Sequence, residues 1–134
     1  MSLDYIRKAL VNRLLTMDSV PFPTQQENDN QPSDPGQPYQ MVNLMPGEPD
    51  NPTMGDDFYR ELGYLQITLV YPLGTGPGLA LARAVLIRST FYRGLTLTSG
   101  PVRLQVDRTP EIAPAFRDAD RYRLPVRIRY FANI

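Results

Sequence analysis

The side chains that could do chemistry in this sequence are carboxylates, eight tyrosines, thirteen arginines and one lysine, Lys8, for there is no cysteine and no histidine. Imidazole is the usual carrier of protons near neutral pH, and without it no nucleophile–histidine pair can be assembled. The same two absences remove the common zinc ligands and any disulfide framework. What remains suits recognition, because guanidinium groups meet carboxylates and phosphates in planar, paired geometry. The residues therefore argue against an enzyme, and no cofactor is expected.

Three groups of polar residues are candidates for contact. Near the C-terminus Arg121, Arg123, Arg127 and Arg129 project opposite to the apolar Leu124, Val126, Ile128 and Tyr130. Arg103 does the same on the preceding apolar run, so pairing of the two strands would make an arginine face. The plainer reading of that face is a solvated basic surface that protects the sheet. Asp56, Asp57 and Glu61 could in principle hold a hard cation or act as acid and base. Placed in an exposed turn, they read instead as solvated charges or as contacts for a neighbour's arginines. Glu27, Asp29 and Asp34 read the same way, since they lack the glycine and terminal glutamate of a calcium loop. Gly74, Gly76 and Gly78 before a helix suggest an anion cradle, but a nucleotide loop needs Gly-Lys-Ser/Thr where this chain has Gly78-Leu79-Ala80. They are read as a strand-to-helix connection.

The elements that must position these residues follow from periodicity. Leu3, Ile6, Leu10, Leu14 and Met17 recur at helical spacing, with Ser2 as a cap and Asp4 in the first turn, so a helix is expected over about 3–17. Tyr39–Met45 reads as a short strand. Phe58–Tyr71 reads as the longest one, because Leu65, Ile67, Leu69 and Tyr71 alternate with Tyr64, Gln66, Thr68 and Val70, and Gly63 within it suggests a bulge or bend. A second helix is expected over about 79–92. Ala80, Ala84, Ile87 and Phe91 share one arc, and Leu81, Val85 and Tyr92 form a second apolar arc beyond Arg88. A helix apolar on two sides is usually covered on two sides. Strands over Val102–Arg108 and Tyr122–Phe131 complete the order α-β-β-α-β-β. The expected fold class is α+β, an antiparallel sheet of about four strands packed on one face by two helices.

With 134 residues, the chain is expected to form one domain over 1–134, with long loops at 18–38 and 46–57. Fourteen prolines support those loops. In the first of them Phe22, between two prolines, is the candidate anchor, either on a partner or in its own core. No apolar run is long enough to span a bilayer and the first residues lack a signal peptide's apolar centre, so use in a cytosol or in something assembled there is expected. Residues 1–67 carry four basic and ten acidic side chains and residues 68–134 carry ten basic and four acidic, a division of −6 against +6. Such a division suits a subunit whose acidic surface meets a neighbour's basic one.

Taken together, Arg60-x-x-Gly63-x-Leu65-Gln66-Ile67-x-Leu69-Val70-Tyr71-Pro72-x-Gly74-x-Gly76, the alanine-rich helix and Phe91-Tyr92-Arg93-Gly94 resemble the tail terminators of long-tailed bacteriophages. Val20-Pro21-Phe22 and Pro125-Val126-Arg127-Ile128-Arg129-Tyr130 extend the resemblance from about residue 20 to 130. It implies a non-catalytic ring, typically of six copies, assembled in the host cytoplasm. The ring would sit on the tail-tube protein, stop tube growth and offer a surface to head-completion or connector proteins, with nucleic acid at most passing through its lumen. The candidate interface residues are then Phe22, Asp56, Asp57, Glu61, Leu81, Val85, Arg88, Tyr92, Arg103, Arg123, Arg127 and Arg129. Two other classes remain open on the residues. A single-stranded nucleic-acid binder could use the arginine face with Tyr64 as a stacking platform, against which stand zero net charge and the scarcity of lysine. A hydrolase would need Asp57 and Glu61 to converge in an apolar cleft.

Overall fold

A computed structural model describes residues 2–17, 22–26, 37–48, 59–74, 77–118 and 121–133. Helix α1 (Ser2–Leu15) forms where the 3.6-residue pattern requires it, with Asp4 in the first turn, Arg13 in the last and a Lys8–Asp4 ion pair at 3.1 Å. Its inward stripe is Ile6, Leu10 and Leu14, reinforced by Ala9 and Val11, while Leu3 stays at the exposed rim. Helix α2 (Gly78–Thr90) buries Ala80, Ala84 and Ile87, followed by Phe91, as its first apolar arc demands.

The expected sheet of four strands is not what forms. Among the described residues eight strands build one curled, half-barrel sheet: β1 (Thr24–Gln25), β2 (Tyr39–Pro46), β3 (Arg60–Pro72), β4 (Thr96–Ser99), β5 (Val102–Val106), β6 (Glu111–Ile112), β7 (Phe116–Asp118) and β8 (Arg121–Asn133). The spatial order is β1-β2-β3-β8-β5-β4, with β6 and β7 also paired to β8. The pairing of β1 with β2 is parallel, so the sheet is not purely antiparallel either. The order α-β-β-α-β-β thus omits β1, β4, β6 and β7, and sheet rather than helix dominates the fold. Strands β1, β6 and β7 are two or three residues long, too short to display an alternation.

The sheet is organised by the antiparallel pair β3 and β8, in register from Arg60↔Asn133 to Pro72↔Arg121. On their inner face Leu65, Ile67, Leu69 and Tyr71 meet Leu124, Val126 and Ile128, and both helices pack into this one core. The second flank of β8 is shared in turn by β7, β6 and β5. Pro125, which cannot donate to a ladder, falls between the β7 and β6 pairings, where its carbonyl accepts from Ala113 N–H at 3.0 Å. Gly63 makes no bulge. Its register is continuous with Pro46 and Tyr130, and a side chain is excluded because a Cβ would lie 2.6 Å from the Met45 carbonyl and 2.8 Å from the Tyr130 hydroxyl.

Candidate interaction surfaces

The second apolar arc of α2 is bare. Leu81 and Val85 are 50% and 49% exposed, and Tyr92, just past the helix, is 52% exposed. Leu79 and Leu86 add a second exposed flank. Arg88, set between the two arcs of the helix, is exposed, and its Nε donates to the Pro110 carbonyl at 3.1 Å. The second arc marked by the sequence pattern is thus exposed in this chain, and Arg88 is spent on holding the segment before β6.

Phe22 stays with its own chain. It packs against the core, and the Arg83 guanidinium covers its ring at 4.0 Å from the centroid. Arg83 is buried on the inner arc of α2, where the neighbouring Ala80 and Ala84 leave room for it. Its Nη2 donates to Gln40 Oε1 at 3.1 Å, and Gln40 Nε2 donates to Thr24 Oγ1 at 2.9 Å. Arg7 Nη2 donates to Gln26 Oε1 at 2.7 Å. Residues 22–26 are thus strapped across both helices and β2. Burial pushes the Tyr71 hydroxyl up in pKa, and the positive charge of Arg83 opposes that shift. Neither Arg83 nor Gln40 was singled out from the sequence; a glutamine and an arginine on otherwise apolar inward arcs were the available signal.

The outer sheet face carries the arginines. Tyr64 is paired in register with Arg129, and the guanidiniums of Arg127 and Arg129 lie 5.8 and 5.7 Å from its ring centroid. Arg127 also donates to Gln66 Oε1 at 3.2 Å and pairs with Glu111 at 3.3 Å. Arg123 Nη1 donates to Met41 Sδ at 3.4 Å. Arg103 does not join this cluster, since β5 meets β8 only through Leu104–Val106 and Arg103 faces Thr98 of β4.

Glu61 is not in an exposed turn. It lies within β3, only 7% exposed, in register with Ala132 and beside Tyr130. Burial first, and the Glu61 carboxylate second, push the Tyr130 hydroxyl up to about 12. Asp56 and Asp57 lie outside the described residues, as do Glu27, Asp29 and Asp34. Among the described residues no group of three or more acidic side chains is placed to hold a metal ion, and no helix is long and apolar enough to cross a membrane.

The fold is thus a curled sheet carrying two helices, one of them with an exposed apolar flank. A family model described as phage tail terminator protein matches residues 5–130, and the chain belongs to that family. It is accordingly a structural component of the phage tail that works against other tail or head proteins. No curated protein matches the chain. Among solved structures, one that is 22% identical superposes with a TM-score of 0.80, covering 98% of this chain and 96% of its own, which establishes the shared fold.

Proposed function

We propose that this chain is the ring subunit that caps the tail tube, ends its polymerisation and offers its far side to a head-completion protein. The observation that carries the reading is the uncovered α2 flank of Leu81, Val85 and Tyr92, which a monomer does not need and a neighbouring copy would bury. A ring made through such heterologous contacts closes on itself, and six copies is the number the resemblance implies. A subunit that matches the tube on one side and differs on the other docks on the last tube ring and presents no site for the next.

The test is tube length by electron microscopy, with cognate tube protein polymerising in the presence of this chain. Shortened tubes at substoichiometric amounts support the reading. Unchanged length distributions at ring-to-tube excess overturn it. A second reading, a single-stranded nucleic-acid binder, draws on Tyr64 between Arg127 and Arg129. It requires tight, salt-sensitive binding of an oligonucleotide that Arg129→Ala abolishes. The ion pair of Arg127 with Glu111 and the even charge balance of the chain favour an acidic protein surface for this face.

A further inference from the structure

The sheet ends on one side at β4, and that end is open. Val106 N–H donates to the Leu95 carbonyl at 2.8 Å, and Thr96, Leu97, Thr98 and Ser99 then face Gln105, Leu104, Arg103 and Val102 in register. Ladder bonds alternate along an antiparallel pair, so Leu97 and Ser99 bond to β5 while Thr96 and Thr98 turn their N–H and C=O groups outward. Both threonines are exposed, and no further strand pairs with β4 among the described residues. The strand itself holds no proline and no charge, the devices that usually blunt an edge.

What such an edge accepts follows from its two faces. On the outer face Thr96 borders an open cleft of about 300 Å³, whose lining includes Arg103, Gln105, Phe131 and Asn133 and no carboxylate. Arg103 is exposed and has no ion pair among the described residues. Arg60 lies 5.5 Å from the Phe131 ring centroid and donates to Asn133 Oδ1 at 2.9 Å, which places a second cation beside the cleft. The inner face presents the half-buried Leu97, and the Tyr5 ring closes against Gly100 just past the strand. Residues of a strand laid on β4 share the face of the residues they oppose, so those opposite the threonines enter the positive outer field and those between them meet Leu97.

We propose that β4 is an acceptor edge for an extended segment of another tail or head protein, one that alternates acidic with apolar residues and joins the sheet as a further strand. Main-chain bonds to Thr96 and Thr98 hold the segment, and Arg103 selects its acidic side chains. Charge decides against the β4 of a second copy, since pairing two such edges brings two arginine-lined clefts together with no carboxylate between them. The acceptor edge does not depend on ring formation, because a single subunit presents it.

The experiment is amide NMR of the whole chain titrated with two short blocked peptides, one alternating valine with glutamate and the other valine with lysine. The glutamate peptide is expected to give saturable shifts at Thr96 and Thr98, to bind at least about tenfold more tightly than the lysine peptide and to weaken as salt is added. Thr98→Pro removes an outward N–H and leaves the β4–β5 ladder its donors, so it should weaken binding at least about tenfold with the melting temperature unchanged. Arg103→Glu keeps every backbone group and should reverse the preference between the peptides, a readout that survives even if the proline disturbs the hairpin. No saturable shift at β4 with the glutamate peptide, or equal binding of both peptides, would overturn the acceptor edge. Shifts at Thr96 and Thr98 on concentrating the chain alone would overturn the choice of occupant in favour of a second copy. None of these outcomes alters tube lengths in the capping assay, so the acceptor edge and the ring reading fail separately.

Discussion

The Arg83 guanidinium lies 4.0 Å from the centroid of the Phe22 ring while its Nη2 donates to Gln40, so one buried cation joins α2, the strap at residues 22–26 and strand β2. Planarity matters here, because the same group stacks on a ring and forms an in-plane hydrogen bond. Arg83→Met keeps the bulk but loses both interactions and leaves Gln40 Oε1 short of a donor. The expected destabilisation is about 2–3 kcal/mol in urea unfolding. Arg83→Lys keeps the charge without the plane and should recover less than half of the loss. A lysine variant equal to wild type would show that charge alone holds the strap.

How much of this was legible depends on element length and on which face a residue takes. The alternation Leu65, Ile67, Leu69, Tyr71 and its counterpart Leu124, Val126, Ile128, Tyr130 announced the two long strands, and the observed pair β3 and β8 obeys both. The spacing of Ile6, Leu10 and Leu14, and the two arcs of α2, were equally readable. Strands β1, β6 and β7 exist because neighbouring strands accept two or three residues each, and no local pattern encodes that. The β4–β5 hairpin did leave a signal, Gly100-Pro101 between Ser99 and Val102, with Gly100 at φ +56° as a tight turn requires. Glu61 was grouped with Asp56 and Asp57 as an exposed turn residue although it also fell within the expected strand from Phe58, and the register of β3 carries it to the inner side.

Val85 tests the apolar flank of α2 directly. At 49% exposed it contributes little to the folded subunit, so Val85→Glu is expected to change stability by no more than about 0.5 kcal/mol. If the flank is covered by a neighbour, the same change places an unpaired charge in the contact and weakens association more than about a hundredfold. Sedimentation equilibrium together with thermal melting separates the two effects. Association equal to wild type would remove this flank from the interface.

Tyr130 predicts an alkaline limit to stability. Its folded-state pKa is raised from 10.0 to about 12, chiefly by burial and then by Glu61, so between those values the folded chain binds more protons than the unfolded one. Stability therefore falls with rising pH in that window, and the contribution, about 2 kcal/mol, is fully present below pH 10 and lost as pH passes the folded value. Tyr130→Phe should flatten the fall between pH 10 and 12 in urea titrations. Near neutrality it should cost almost nothing, because the hydroxyl it removes has no partner among the described residues.

Gly63 is the position where the sheet tolerates no side chain, and its neighbours make the consequence of adding one separable. A Cβ would meet the Met45 carbonyl at 2.6 Å and the Tyr130 hydroxyl at 2.8 Å, one a backbone atom of the paired strand, the other the tip of a side chain. The hydroxyl contact can be relieved by truncation, but the carbonyl contact yields only if β2 moves away from β3. Gly63→Ala is thus expected to destabilise by about 2–3 kcal/mol through overpacking. Combining it with Tyr130→Phe should return at most about 1 kcal/mol, a coupling that a double-mutant cycle reads directly. Full recovery in the double variant would mean that the strands separate easily at this end and that Tyr130, not the β2–β3 backbone, dictates the glycine. A Gly63→Ala variant as stable as wild type would contradict the close approach itself.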